Sequence, residues 1–380
     1  MKKFLLTGVE TNNKGAELML YAILQQIEEK FPDAVVYIGT FAIKQGFSYI
    51  KTPIHLKEMP YASFRKLLVK LKIDRILYHL NIPQTILLDP IIDDIDYLID
   101  GSGLAFSDNM SKNPDNVRYW HKVLTNYGKK RTKIIFLPQA FGPFETNNAQ
   151  TKVKDLFKYA DLIFARDTES YDYLKKLNLK LDKVHIYPDF TSLVNGIQNE
   201  KYKSLVNGVC IIPNMQMIDQ GIFTLNEYID FMVGIIEFIK KQGFLPYILN
   251  HQGCYDEKIG YLISQKTCNT KFITGINALE VKGIISTSRL CITSRFHGAA
   301  SALNSCVPCL ATSWSHKYKE LFIDYNQHDC ILDKNPNTNL KKIAYMLDDK
   351  NNKNIREALR KPVENIKEKT KEMWSLVWSF

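Results

Sequence analysis

Residues 289–317 read RLCITSRFHGAASALNSCVPCLATSWSHK. Within them, Leu290-Cys291-Ile292-Thr293 is a short apolar run that reads as a buried strand. The run stops at Ser294, a residue type favoured at helix N-caps, and Arg295, His297 and Gly298 then fall in what should be a first helical turn. A second apolar run, 307–311, reads as the next parallel strand, and Lys317 follows it. Strand, helix and strand in such quick succession form the repeating unit of a parallel α/β sheet. The unsatisfied N–H groups of a helix start and the positive end of its dipole together favour anions. An arginine fork and a titratable imidazole placed there make the segment a candidate site for phosphate chemistry. The same residues also fit a surface cation and a packed helical histidine, and the segment alone leaves both readings open.

Outward from this segment the same alternation runs through the chain. Strands are expected at 3–7, 34–38, 97–100, 133–137, 162–165 and 184–186, with helices at 16–30, 116–127, 151–160 and 167–177. A polar stretch at 191–207, with Asn195, Gly196, Gln198 and Asn199, suits a linker. The pattern then restarts: strand 209–212, helix 225–242, strand 245–249, helix 256–267, strand 272–273, helix 278–286, then the opening segment. Two further helices are expected over 339–378. The fold class is therefore α/β, with two Rossmann-type parallel-sheet domains facing across a cleft. The expected boundaries are 1–195 for the first domain (the acceptor side) and 196–340 for the second (the donor site). The segment 341–380 is then a helical tail and a candidate for packing back on the first domain.

The chain has 380 residues, 45% of them hydrophobic and 24% charged, which is the composition of a globular protein with an ample core. Its apolar runs all fall short of the roughly 18 residues that a membrane span needs. The N-terminal MKKFLLTG is too short an apolar stretch for a signal peptide and reads as the first strand. A cytoplasmic location is the expectation. Seven cysteines, among them Cys210, Cys291 and Cys309 inside apolar runs, suit reduced core thiols. Cys306 and Cys309 have CxxC spacing but lack a second Cys/His pair, so a zinc site does not follow. The formal net charge of +10 implies attraction to anions. A zinc finger, an RNP-type motif and a basic repeat are all missing, so nucleic acid is not the expected partner.

Ligands of open α/β sheets sit at the carboxyl ends of the strands. Several Gly- and Asn-rich turns occur at such ends: TGVETNNKG at 7–15, leading into Ala16-Glu17; DGSG at 100–103; and PQAFGP at 138–143. In the second half, His251 and Asp256 follow the strand that ends at Leu249 and are candidates for lining the cleft.

In this order and spacing the set resembles the polysaccharide pyruvyl transferases. The elements are Asn13-Lys14-Gly15-Ala16-Glu17, Asp100-Gly101-Ser102-Gly103, Gln139 with Gly142-Pro143, Arg166-Asp167 with Ser170, Pro188-Asp189, and Ser294-Arg295-Phe296-His297-Gly298 with Lys317. The resemblance extends from about residue 5 to about residue 325, and the SRFHG segment is its specific part. Three positions depart from the pattern. Gly15-Ala16-Glu17 stands where a Gly-Asp pair is common, Ser102 interrupts the middle glycine run, and Cys306 replaces a glycine before Val-Pro.

The resemblance implies a GT-B-like fold and a transferase of polysaccharide biosynthesis in the cell envelope. Such an enzyme moves pyruvate from phosphoenolpyruvate onto a sugar of an exopolysaccharide or its lipid-linked precursor, as a ketal, with release of phosphate. It implies phosphoenolpyruvate as co-substrate, no metal and no other cofactor. The catalytic residues would be His297, as general acid/base, and Arg295. Arg295, Ser294, Gly298, Arg166 and Lys317 would bind the donor. Asn13, Glu17, Asp100, Gln139 and Asp189 would position the acceptor, with a capping or surface carboxylate the alternative for Glu17 and a turn closure that for Asp189. His251, from its place after the strand ending at Leu249, is a further positioning candidate or a satisfied loop residue. An imidazole suits the proton transfer because histidine titrates near neutrality. For Arg166 an ion pair with Asp167 is the structural alternative, and for Asp100 the closing of turns.

Between Tyr61 and Leu80, YASFRKLLVKLKIDRILYHL places Phe64, Leu67, Leu68 and Leu71 at helical spacing beside Arg65, Lys66, Lys70 and Lys72. Such a helix suits peripheral contact with the inner face of an anionic membrane, and equally an amphipathic helix packed on its own domain. Two other functions fit the broad pattern: a GT-B glycosyltransferase with a nucleotide-sugar donor, and a non-catalytic glycan- or nucleic-acid-binding protein.

Overall fold

The computed structural model of the chain describes residues 1–38, 55–58, 92–108, 114–179, 181–313 and 317–379. The basic segment between Tyr61 and Leu80 lies outside the described residues. The chain divides into two compact units. Unit 1 comprises Met1–Thr11, Met19–Phe190 and Glu372–Phe380, and unit 2 comprises Asn12–Leu18 and Thr191–Lys371.

The elements of the first half run β1 (Lys3–Thr7), α1 (Lys14–Lys30), β2 (Val35–Ile38), β3 (His55–Glu58) and β4 (Tyr97–Asp100). They continue with α2 (Pro114–Gly128), β5 (Lys133–Gln139), α3 (Asn147–Phe157), β6 (Leu162–Ala165), α4 (Thr168–Lys176) and β7 (Val184–Ile186). The seven strands form one parallel sheet in the order β3-β2-β1-β4-β5-β6-β7. The residues up to Leu18 in the first turns of α1 group with unit 2.

The second half restarts with β8 (Val209–Ile212), α5 (Gln216–Asp219), α6 (Leu225–Lys241), β9 (Pro246–Leu249), α7 (Gly253–Lys266) and β10 (Phe272–Ile273). Next come α8 (Ala278–Ser286), β11 (Leu290–Thr293), α9 (Phe296–Asn304), β12 (Cys309–Thr312), α10 (Lys317–Asp324) and β13 (Ile331–Leu332). Helices α11 (Pro336–Leu347) and α12 (Asp349–Trp378) close the chain. Its six strands are parallel, in the order β10-β9-β8-β11-β12-β13.

Both sheets therefore have the doubly wound order, in which the first strand lies between the second and the fourth. The order reverses between β1 and β4 in one sheet and between β8 and β11 in the other. A crevice forms at the carboxyl ends of such strand pairs. All four residues of β8, β9, β11 and β12 are buried, because helices cover both faces of a parallel sheet and suppress the alternation of a one-sided strand. Capping boxes start two of these helices, Thr224 with Glu227 for α6 and Asn277 with Glu280 for α8.

Most expected elements form, several with the expected bounds. The strand expected at 307–311 runs Cys309–Thr312, because Cys306 holds a turn at φ 55° and Pro308 lacks an N–H. Strands β3 and β13 carry no usable signal: HLKE has no apolar run, and β13 is two residues long. The polar stretch 191–207 is not an open linker, since it forms 3-10 turns at Phe190–Leu193 and Glu200–Leu205. All seven cysteines are unpaired. Cys210, Cys291 and Cys309 are register partners on β8, β11 and β12, and burial pushes the Cys210 and Cys309 thiols up. Among the described residues no helix is long and apolar enough to cross a membrane.

Candidate active site

Helix α9 starts one residue later than the sequence suggests. Its N-cap is Arg295, in extended conformation (φ −113°, ψ 130°), and no side chain caps the first turn. Ser294 is fully buried and does something else. Its hydroxyl lies 2.6 Å from Tyr228 Oη and accepts from Thr312 Oγ1 at 2.5 Å. Its carbonyl accepts from Asn214 Nδ2 and Tyr318 Oη, each at 2.7 Å. Ser294 thus pins the end of β11 to α6, β12, α10 and the exit of β8. That commitment corrects the expectation that its hydroxyl caps the helix or grips a donor. Gly298 serves packing too: a Cβ there would meet Thr293 Oγ1 at 2.6 Å, so glycine lets α9 lie close on its own strand end.

Arg295 is not a free surface cation. Its side chain is 15% exposed and pairs with Asp256, which is 1% exposed. Nε donates to Asp256 Oδ2 at 2.7 Å, NH2 lies 2.5 Å from the same oxygen, and NH1 donates to Gln252 Oε1. Asp256 Oδ1 accepts from the backbone N–H of Met215 at 2.9 Å. Burial raises the Asp256 carboxyl, against the pull of the Arg295 guanidinium and the Met215 N–H.

His297, in the first turn of α9, meets the first turn of α1 within unit 2. A Cβ on Gly15 would come within 2.8 Å of His297 Cγ and closer still to Nδ1. Only a residue without a side chain lets α1 approach the imidazole so closely. Asn13 shapes that approach, since its Oδ1 accepts from Gly15 N at 2.9 Å and its backbone bridges to Gln252. Lys14 N donates to the carbonyl of His251 at 3.2 Å, and Lys14 Nζ pairs with buried Glu17 at 2.6 Å. His251 is buried, with no hydrogen-bond partner at Nδ1. Burial first, then the charges of Arg295, His297 and Lys14, hold its imidazole well below the usual histidine range. Two helix starts, an oriented guanidinium and two imidazoles therefore gather in unit 2. Lys317, at the start of α10, stands over the rings of Phe296 and Tyr318, at 5.8 and 5.9 Å from their centroids.

The remaining expected residues lie in unit 1. Arg166 pairs with Asp189, NH1 to Oδ2 at 3.8 Å, and both are buried. The alternative pair with Asp167 does not form, because Asp167 caps α4 by accepting from Ser170 N at 2.7 Å. Asp100 is fully buried and accepts from Thr7 Oγ1 at 2.9 Å, Gln139 Nε2 at 2.8 Å, Ser102 Oγ at 3.0 Å and Ser102 N at 3.3 Å. It closes the turns after β1 and β4, and with Gln139, itself fully buried, it offers no surface to an acceptor. Both are corrections to their expected positioning role.

The family model for polysaccharide pyruvyl transferases matches residues 13–316. The chain belongs to that family. It is a transferase of polysaccharide biosynthesis, and the matched span begins at Asn13 and ends one residue before Lys317. No match is found among curated proteins. Solved structures with a similar fold include the UDP-GlcNAc 2-epimerase of Methanocaldococcus jannaschii, at 13% identity and TM-score 0.61 over 100% of both chains. The UDP-GlcNAc 2-epimerase of Neisseria meningitidis bound to UDP-GlcNAc aligns at 11% identity and TM-score 0.59, again over 100% of both. Anabaena HepE in complex with UDP and glucose does so at 11% identity and TM-score 0.60, also over 100% of both. At such identities the likeness is one of fold, and the fold of this pyruvyl transferase family member is GT-B-like.

Gln252 is a site residue that sequence reasoning passed over, and Gly15 entered it only as a motif position without a role. Gln252 sits directly after a predicted strand end and before a predicted helix, the place where ligand-facing groups collect. The role of Gly15 had no local signal, because the residue it meets is 282 positions away in the chain (297 minus 15).

Proposed function

We propose that this pyruvyl transferase takes pyruvate from phosphoenolpyruvate and joins it as a ketal to a sugar of a cell-surface polysaccharide or its lipid-linked precursor. The observation that carries the reading is the meeting of His297 with the first turn of α1 at Gly15, two residues after the Arg295 N-cap of the same helix. Phosphoenolpyruvate is compact and highly anionic. A guanidinium with N–H groups to spare and the uncapped first turn of α9 suit its phosphate or carboxylate. Lys317 is a further donor contact in this reading, and Asn13, Glu17 and His251 are positioning candidates for the acceptor.

The chemistry assigns His297 two proton movements. It gives a proton to the methylene carbon, carbon 2 becomes electron-poor, and the first sugar hydroxyl adds there. The proton of that hydroxyl returns to the imidazole. The bond from carbon 2 to the phosphate oxygen then breaks, and phosphate leaves with the electron pair. The second hydroxyl closes the ketal on carbon 2, and its proton goes to the departing phosphate. Arg295 and the N–H groups of α9 stabilise the charge that gathers on phosphate. The steps balance without a redox partner.

The test is an acceptor screen. Inorganic phosphate is measured from phosphoenolpyruvate with and without candidate oligosaccharides, and the products are weighed by mass spectrometry. Acceptor-dependent phosphate release together with the ketal mass increment supports the reading. Turnover that needs a nucleotide sugar instead replaces it with the glycosyltransferase reading, which the fold's likeness to UDP-bound structures keeps in play.

A further inference from the structure

We propose that Asp256, assisted by Gln252, is a positioning residue that sets the Arg295 fork for the anionic donor. The inference rests on the donor reading above and deepens it. A guanidinium carries five N–H groups. Asp256 Oδ2 takes one from Nε at 2.7 Å and one from NH2 at 2.5 Å, and Gln252 Oε1 takes one from NH1. One N–H remains on each terminal nitrogen, enough for a fork on a phosphate or carboxylate. The clamp is anchored from behind, since Asp256 Oδ1 accepts from Met215 N at 2.9 Å and the carboxylate is 1% exposed. Asp256 therefore ties three segments of unit 2 together: the exit of β8, the first turn of α7 and the cap of α9.

The arrangement trades charge for direction. A carboxylate against Arg295 weakens the long-range pull on an anion, so an unpaired arginine would attract the donor more strongly. It would also swing, and phosphoryl and carboxyl groups reward a fixed fork over a mobile one. The sign of the Asp256→Asn effect decides which matters. The amide is nearly isosteric and keeps an acceptor oxygen, but it removes the charge-assisted grip.

The experiment is a double-mutant cycle on the full chain, with phosphate release from phosphoenolpyruvate as the kinetic readout and calorimetric binding of phosphoenolpyruvate as the second. Asp256→Asn is expected to lower kcat/KM by about 10–100-fold with folding unchanged by circular dichroism. In the Arg295→Ala background the same change should alter it by less than about twofold, because Asp256 acts through Arg295. Gln252→Ala, at a half-buried residue with no capping bond to α7, should give a smaller loss of about 3–10-fold and covers the case of a poorly folding Asp256 variant. Unmodified kinetics in both single variants, or a full multiplicative loss in the Arg295→Ala background, overturns the inference while phosphoenolpyruvate still binds. Absence of phosphoenolpyruvate binding by the unmodified chain overturns the donor reading, and this inference with it.

Discussion

Gly15 lies against the imidazole of His297, with no room for a Cβ between them. The contact places an imidazole of α9 at the first turn of another helix, where both helix dipoles favour negative charge. Gly15→Ala is therefore a sharp probe. Helix propensity alone favours alanine at this position. The added methyl must instead push the imidazole aside, and a side-chain tip yields cheaply. If His297 moves the proton as proposed, kcat should fall by about 100-fold with a melting temperature changed by only a few degrees. Wild-type kcat in Gly15→Ala would show that the position of the imidazole at α1 is irrelevant to turnover.

Asp100 gives a pH dependence with a definite direction. Burial outweighs the four hydrogen bonds it accepts and pushes its carboxyl up to about 6 from the usual 3.8. Between those two values the folded chain binds more protons than the unfolded one, so stability falls as pH rises through that window. Above pH 6 the contribution is constant. The loss over the window is about 3 kcal/mol for a shift of some two units. Urea unfolding of wild type and Asp100→Asn from pH 4 to 7 tests this. Wild type should lose stability relative to Asp100→Asn as pH rises to 6, after which the difference levels, and a difference independent of pH would rule out the raised carboxyl.

The parallel architecture was legible because it is written in local runs. LCIT at 290–293, VCII at 209–212 and YLID at 97–100 each form a strand with the bounds their apolar residues suggest. The doubly wound order, by contrast, is a property of strand pairing at long range, and only the count and alternation of strands hinted at it. The same division holds at the site. Arg295 and His297 are visible as residues of the right chemistry after a strand. Ser294 looks like a cap because the serine side chain often caps, yet Tyr228, Thr312, Asn214 and Tyr318 converge on it from elsewhere and claim it. Asp100 looks like a sugar ligand until Thr7, Ser102 and Gln139 are seen to use up its oxygens. Sequence reports which groups a strand end offers, while the surrounding fold decides which of them stay available.

His251 predicts the opposite pH slope to Asp100. Burial and the charges of Arg295, His297 and Lys14 hold its imidazole well below 6.5 in the folded chain. Above pH 6.5 neither state binds the proton, and below it only the unfolded chain does so readily. Stability is therefore lost as pH falls from 6.5, at about 1.4 kcal/mol per pH unit until the folded imidazole also titrates. His251→Gln should flatten that acid limb in denaturant titrations between pH 5 and 7. An unchanged limb in the variant would assign the acid sensitivity to other groups.

Trp374 and Trp378, at the end of α12, belong to unit 1 and complete its aromatic cluster. Their rings stack at 5.4 Å, Trp374 meets Phe190 edge-on at 6.2 Å, and Trp378 meets Phe31 at 5.6 Å, Tyr97 at 5.9 Å and Phe4 at 6.3 Å. Trp374 is 2% exposed, and its indole N–H has no hydrogen-bond partner. Its contribution is therefore ring burial and packing alone. Trp374→Ala should cost about 3–5 kcal/mol of unfolding free energy by leaving a large cavity. Trp374→Phe keeps an aromatic ring and sacrifices no polar bond, so it should cost less than half as much. Urea unfolding compares the two directly. Equal losses would mean that a smaller ring recovers none of the packing, and a negligible loss in the alanine variant would mean that unit 1 does not depend on the end of α12.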